Sequence, residues 1–162
     1  MRIAAKILSA GCYKERVGNM KLTPNFYLSE LIESDYAERH GIKNIPGPAV
    51  QQNLMVLASG LECVRAILGA PLTIISGYRN TELNRGIGGV STSAHLTGFA
   101  ADFKSRAFGT PKAIVEKIKN SGIKYDQLIG EGSWVHISFD PKMRQQTMSA
   151  IFKNGKAVYS EA

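Results

Sequence analysis

Cysteine, tryptophan and long apolar runs are scarce in this chain of 162 residues. Its two cysteines, Cys12 and Cys63, form neither a CxxC pair nor a zinc-finger spacing, which argues against a thiol redox motif and a cysteine-rich metal site. No apolar run approaches the roughly 20 residues that cross a bilayer. The length therefore favours one globular domain, large enough to bury roughly 70% of its unfolded surface.

Acidic residues are outnumbered by basic ones, 13 against 20, and the net charge is +7. Such a charge attracts polyanions, which include nucleic acid, anionic lipid and an anionic bacterial wall. The basic residues are scattered, however, and no motif that combines aromatic and basic residues for nucleic-acid binding occurs. We therefore expect no nucleic-acid partner.

The first 19 residues carry only a weak targeting signal. The stretch "MRIAAKILSAGC" has a basic start and small residues before Cys12, as a lipoprotein signal has, but Lys6 interrupts its apolar part. It is therefore no convincing signal peptide. The first clear structural pattern begins at Met20, so we expect residues 1–19 to be an extension and residues 20–162 a single domain, with Met20 as an alternative start.

Three segments predict helices. The first is capped by Ser29 and ends at Gly41. The second follows "IPGPAV" and has apolar residues at spacings of three and four, which is typical of a helix facing a core. The third begins at Thr110 and Pro111, a favourable N-cap and first position. The apolar residues of the second helix are Leu54, Leu57, Leu61, Val64 and Leu68.

Short β-branched and alternating segments lie between these helices. "PLTIISGYR" and "GFAADFKS" predict strands, "YDQLIGEGSWVHISFD" predicts two strands or one broken strand, and Asn154-Gly155 predicts a hairpin. The segment 80–94, "NTELNRGIGGVSTSA", predicts a long functional loop. This mixture indicates an α+β fold in which helices pack on one side of a small antiparallel sheet.

Two of the three histidines are candidate metal ligands. His95 precedes Asp102 by seven residues, an odd spacing that would place them on opposite faces of a straight strand, but Gly98 between them allows the chain to turn. With His136, they would give zinc three protein ligands and leave one position for water. His40 stands at a predicted helix end and is interpreted as a helix-end residue. From the residues alone, a structural His95–Asp102 pair is the alternative.

The motifs around these residues resemble the zinc D-Ala-D-Ala carboxypeptidase family, peptidase family M15. "SAHLTGFAAD" matches its Ser-x-His-x-x-Gly-x-Ala-x-Asp signature, "WVHIS" matches its Trp-x-His motif, and "SGYRNTELNRGIGG" is similar to its Ser-Gly-Tyr-Arg segment. The similarity runs from about Leu22 to Pro141 and is greatest to small phage and prophage members. It implies a fold like that of the hedgehog and DD-peptidase domains, with Zn²⁺ as the cofactor.

The resemblance also implies the roles of individual residues. His95, Asp102 and His136 resemble the zinc ligands. Many members carry the catalytic glutamate three residues before the last histidine, where this chain has Ser133. Other members place it five residues before, so we assign the general base to Glu131.

Asp126 is the reserve candidate for the general base. Arg79 resembles the arginine that contacts the substrate or stabilises the oxyanion. Tyr78 and Ser93 are candidates for substrate binding or for support of the site.

By resemblance, the expected function is zinc-dependent hydrolysis of peptidoglycan stem peptides at the bacterial cell wall, by a monomer. The chain would be a D-Ala-D-Ala carboxypeptidase or an L-alanyl-D-glutamate endopeptidase, as in phage endolysins, and no residue separates the two. The alternative is a non-catalytic, zinc-containing wall-binding or virion structural domain of the same fold, because the usual glutamate is absent at position 133.

Overall fold

A six-stranded sheet organises the computed structural model of the chain, which describes residues 20–154 and 156–162. In chain order the strands are β1 (Thr73–Ser76), β2 (Ala100–Lys104), β3 (Gln127–Glu131), β4 (Trp134–Ser138), β5 (Gln146–Lys153) and β6 (Lys156–Glu161). Their order across the sheet is β1-β2-β4-β3-β5-β6. All neighbouring strands are antiparallel except β3 and β5, which run parallel.

Four α-helices accompany the sheet in the described part of the chain. They are α1 (Asp35–Arg39), α2 (Pro48–Leu68), α3 (Thr81–Gly86) and α4 (Pro111–Lys119), and short 3₁₀-helices cover Ser29–Leu31 and Ala94–Thr97. The apolar side chains of α2 and α4 join those of the sheet in a single buried cluster. None of the described helices is both long and apolar enough to cross a membrane.

The alternation of side chains along the strands determines which face of the sheet carries the candidate site residues. Phe103 of β2 and Val135 of β4 are fully buried in the core cluster beneath the helices. Because successive side chains of a strand point to opposite faces, Asp102 and His136 project from the other face. The candidate site therefore lies on the side of the sheet that the core helices leave uncovered.

The α+β class is confirmed, and so are the helices at 48–68 and 111–119. Thr110 caps α4 by accepting a hydrogen bond from the N–H of Ala113 at 3.3 Å, and Gly69 ends α2 with a left-handed φ of 60°. The hairpin predicted at Asn154-Gly155 is present, since β5 pairs antiparallel with β6. The sheet was predicted to be antiparallel, but it also contains one parallel pair, β3 with β5.

The prediction of one helix from Ser29 to Gly41 was wrong. The chain makes a single 3₁₀ turn, leaves the helical conformation, and starts α1 at a second serine, Ser34, whose hydroxyl accepts from the N–H of Ala37. Both serines precede acidic residues that suit a first helical turn, so local signals do not distinguish them. Leu31 and Ile32, next to the break, are buried in the core cluster.

The prediction of an unbroken loop over 80–94 was also wrong. Asn80 accepts a hydrogen bond from the N–H of Leu83 at 2.8 Å and thereby caps α3. The three glycines that suggested a loop lie at the end of this helix and beyond it. The predicted extension, residues 1–19, lies outside the described residues.

Candidate active site

Three side chains from neighbouring elements converge on the uncovered face of the sheet. Asp102 of β2 and His136 of β4 are directly opposite each other in the antiparallel register. His95 lies in the 3₁₀-helix before β2, and Gly98 ends that helix with a left-handed φ of 79°. The expectation that Gly98 turns the chain between the two motif residues is confirmed.

The distances within this triad suit a tetrahedral metal site. Nε2 of His95 lies 3.2 Å from Oδ1 of Asp102 and 3.2 Å from Nδ1 of His136, and that Nδ1 lies 2.9 Å from the same Oδ1. Zinc bonds to nitrogen and oxygen are about 2.0–2.2 Å long, so the donor atoms of a tetrahedral site are separated by about 3.3 Å. The three residues therefore fit Zn²⁺, with the fourth position left to a water molecule or substrate.

The imidazole of His95 is held in the form that binds a metal. Its Nδ1 lies 2.6 Å from the carbonyl oxygen of Gly77, which can only accept, so Nδ1 carries the hydrogen and Nε2 keeps its lone pair. Burial lowers the pKa of His95, against the opposing influence of Asp102. The ring is therefore neutral near neutral pH, as a metal ligand must be.

Asp102 is ionised and links the triad to Arg79. Burial disfavours its charge, but the neighbouring imidazoles of His95 and His136 outweigh burial and hold the pKa of Asp102 well below its ordinary value. Its second oxygen, Oδ2, lies 3.5 Å from Nη2 of Arg79. One carboxylate thus faces the metal-binding atoms on one side and a cation on the other.

The triad opens into a cleft of about 490 Å³ that Arg79 and Glu131 also line. Glu131 ends β3 and is partly buried. Burial raises the pKa of Glu131, and the nearby charge of Asp102 raises it further, although His136 and Arg79 oppose them. A carboxylate in this setting accepts a proton more readily than one in water.

Residues 24–138, more than half of the chain, match the model of the Peptidase M15 family. The chain belongs to the Peptidase M15 family. A curated relative, the zinc D-Ala-D-Ala carboxypeptidase of Streptomyces albus G, is 28% identical over 89 residues, which cover 54% of this chain and 34% of that protein. The matched segment thus spans about a third of the relative's length. The family expected from the sequence motifs is confirmed.

Asp126 is the reserve candidate for the base in this M15 chain. It also lines the cleft, but Arg144 donates hydrogen bonds to its carboxylate. Its Oδ1 accepts from Nε of Arg144 at 2.8 Å and from the backbone N–H of Arg144 at 3.1 Å, and its Oδ2 lies 2.6 Å from Nη2. These bonds lower the pKa of Asp126. Such a carboxylate is a weaker proton acceptor than Glu131, and its geometry suits a structural role.

The two weaker candidates for substrate binding occupy different places. Ser93 lines the cleft and also caps the 3₁₀-helix of His95, whose N–H donates to the Ser93 hydroxyl at 3.3 Å. Tyr78 belongs to the buried core cluster and is absent from the described lining of the cleft. The structure therefore brings Ser93, but not Tyr78, to the cleft of the M15 domain.

The sequence analysis missed a buried asparagine that organises the strand end behind the site. Nδ2 of Asn44 donates to the carbonyl oxygens of Ile32 and Tyr78, both at 2.8 Å, and its Oδ1 accepts from the N–H of Asn80 at 2.8 Å. These bonds flank Arg79 on both sides. No local pattern marks Asn44, because its partners lie 12 to 36 residues away.

The far wall of the cleft was missed as well. It is formed by residues after the matched region, among them Lys142, Arg144, Met148 and Tyr159. Met148 and Tyr159 reach the cleft because β5 pairs in parallel with β3 and antiparallel with β6, an arrangement between distant segments that no short-range signal indicates.

Proposed function

We propose that this chain is a zinc-dependent peptidase that hydrolyses peptidoglycan stem peptides. The observation that carries the proposal is the convergence of the His95, Asp102 and His136 donor atoms in a cleft that also contains Arg79 and Glu131. Membership of the M15 family supports the zinc chemistry. The carboxypeptidase activity named for the Streptomyces relative supports the substrate class.

His95, Asp102 and His136 would hold the ion. When bound, zinc supplies Lewis acidity, which polarises a carbonyl group and makes water a stronger nucleophile near neutral pH. The protein's part is to hold the imidazole of His95 neutral and the carboxylate of Asp102 ionised, which the burial of His95 and the surroundings of Asp102 favour.

Glu131 acts as the general base and then as the general acid. Its carboxylate takes a proton from the attacking water and passes it to the amine that leaves the cleaved peptide bond. The raised pKa of Glu131 serves both steps, because it strengthens the carboxylate as an acceptor while leaving the acid able to release the proton.

Arg79 contributes a fixed positive charge near the reacting carbonyl. Its side chain is 12% exposed, and its buried Nε has no hydrogen-bond partner among the described residues. A buried donor without a partner is the kind of group that a bound ligand satisfies. Arg79 therefore binds a substrate oxygen, either the developing oxyanion or a terminal carboxylate.

Substitution of Glu131 tests this function. Glu131→Gln keeps the size of the side chain but cannot accept a proton, so peptide hydrolysis should fall by ~10²–10⁴-fold. Zinc content should stay at that of the unmodified chain, because Glu131 is outside the metal triad. The matched control is Glu116→Gln, an exposed glutamate on α4, which should retain full activity.

Near-normal hydrolysis by Glu131→Gln would show that another residue is the general base, and Asp126 would be the next candidate. An unmodified chain that binds zinc but hydrolyses no stem peptide would favour the alternative, a non-catalytic wall-binding or virion structural domain. The monomeric state, the small phage or prophage type and action at the cell wall belong to the same proposal.

A further inference from the structure

The β5–β6 hairpin forms one wall of the candidate active site. In the parallel pairing of β3 with β5, Ile129 is opposite Met148 and Glu131 is opposite Ala150. Ile129, Glu131 and Met148 all line the cleft, so this face of β5 continues the catalytic face of β3. The family match ends at Ser138, so the hairpin belongs to the part of the cleft outside that match.

Tyr159 of β6 lies in the same row as Glu131. Ala150 is opposite Glu131 on one side and opposite Tyr159 on the other, so the three residues follow one line across three strands. Residues that are directly opposite each other in neighbouring strands project from the same face. Tyr159 lines the cleft accordingly, two strand spacings from Glu131, or about 9.6 Å between backbones.

The residue between them is small. Ala150 has only a methyl side chain and is 4% exposed, whereas Tyr159 is 51% exposed. In this line of three residues, the small Ala150 separates the larger side chains of Glu131 and Tyr159. The aromatic ring of Tyr159 therefore lies next to the space in front of Glu131. The hairpin is also held against the site face at Trp134, whose ring centroid lies 5.9 Å from that of Phe152.

We propose that Tyr159 contacts the substrate directly, donating its phenol O–H to a backbone carbonyl of the peptide bound in the cleft. This rests on the proposed function, since the same cleft must take a peptide. Within the described part of the chain, the phenol of Tyr159 makes no hydrogen bond, so it is available to a ligand.

The surroundings of Tyr159 favour a neutral acceptor over an anionic one. Burial raises the pKa of Tyr159, and the carboxylates of Glu131 and Asp102 raise it further, so the phenol keeps its hydrogen near neutral pH. The same two carboxylates repel an anionic ligand group at this point. A peptide carbonyl accepts a hydrogen bond without adding charge. Tyr159 therefore recognises the peptide backbone, while carboxylates of the substrate are left to the cationic side chains of the cleft.

Tyr159→Phe tests the contact because it removes one oxygen and keeps the ring. A neutral hydrogen bond is worth about 1 kcal/mol, so kcat/KM for a synthetic stem pentapeptide ending in D-Ala-D-Ala should fall roughly three- to tenfold. The loss should appear mainly as a higher KM, with zinc content and Tm unchanged. Tyr27→Phe is the matched control, because Tyr27 is an exposed tyrosine that is absent from the lining of the cleft.

Peptide binding separates this proposal from the proposed function. In zinc-loaded Glu131→Gln, the Kd for the same pentapeptide should rise by a similar factor when Tyr159→Phe is added. If the unmodified chain hydrolyses nothing, the proposed function fails, and the Kd alone decides the role of Tyr159. The proposed contact would be wrong if Tyr159→Phe left kcat/KM and Kd within twofold of the values of the parent proteins. It would also be wrong if the parent proteins did not bind the peptide at all.

Discussion

Glu131, the proposed general base, combines a catalytic role in this proposal with a cost to the stability of the folded protein. Its carboxylate is partly withdrawn from water and lies near the charge of Asp102, so its ionised form is less stable in the folded protein than in the unfolded chain. The raised pKa of Glu131 therefore also lowers the free energy of unfolding at pH values where this carboxylate is ionised. Below the unfolded pKa of 4.5 both states are protonated and folding is not penalised. As the pH rises above 4.5, the unfolded chain loses this proton first, so the penalty grows, and it reaches its full size once the pH exceeds the folded pKa.

Glu131→Gln should therefore stabilise the zinc-free protein near neutral pH, because a neutral amide replaces a disfavoured charge. The gain in free energy of unfolding should be larger at about pH 7.5 than at about pH 4. Denaturant unfolding of both proteins at the two pH values measures it, with Glu116→Gln as the exposed control. An equal effect at both pH values, or a loss of stability at neutral pH, would contradict the assigned environment of Glu131.

The segment from Gly77 to Asn80 shows how one element supports the whole site. The carbonyl oxygen of Gly77 accepts from Nδ1 of His95, the N–H of Arg79 donates to the carbonyl oxygen of His95 at 3.1 Å, and the N–H of Asn80 donates to Asn44. The segment also lies against Leu31, whose carbonyl oxygen accepts from Tyr78 at 2.7 Å. The orientation of His95, a proposed metal ligand, and the placement of Arg79 thus depend on the same backbone segment.

Gly77→Ala should weaken zinc binding although Gly77 is not a ligand. A Cβ at this position would lie 2.8 Å from Cα of Leu31, so the backbone must shift and carry the Gly77 carbonyl away from His95. Loss of such a supporting bond typically costs about 10–100-fold in metal affinity. Gly47→Ala, which adds a methyl group to open space, is the control. Competition with a chelator measures both affinities, and an unchanged zinc Kd in folded Gly77→Ala would argue against this support.

Elements with local signals at both ends were predictable from the sequence. Helix α4 has Thr110 and Pro111 at its start and Gly122 beyond its end, and the sequence has Asn-Gly between the strands of the β5–β6 hairpin, so each is specified within a few residues. Helix α1 was misplaced because Ser29 and Ser34 offer competing caps. Helix α3 was missed because glycines follow its Asn80 cap closely.

The candidate site was predictable to a similar extent. The resemblance of the motifs around His95, Asp102 and His136 to a zinc peptidase family indicated the three residues that the structure brings together, whereas the residues alone left a structural His95–Asp102 pair open. Arg79 and Glu131 also reach the cleft, as their motif positions implied. Asn44 and Tyr159 could not be found in this way, because their positions depend on contacts between distant segments.

At the scale of the whole molecule, the described core begins close to Met20. Leu22 packs against the core cluster, and the carbonyl oxygen of Met20 accepts from the N–H of Leu28 at 2.9 Å. A chain shortened to residues 20–162 should therefore fold, bind zinc and keep the activity of the full chain. Thermal unfolding of both forms checks this. A fall in Tm well beyond about 5 °C, equivalent to roughly 1 kcal/mol or more, would show that residues 1–19 stabilise the domain.

Digestion of purified peptidoglycan, followed by mass spectrometry of the released peptides, tests the central claim most directly. The zinc-loaded chain should create new peptide ends, either by releasing D-Ala or by splitting the L-alanyl-D-glutamate bond, and the identity of the ends separates carboxypeptidase from endopeptidase. His136→Ala, which leaves only two metal ligands, should create none. Intact stem peptides after treatment with the fully zinc-loaded, unmodified chain would contradict the account.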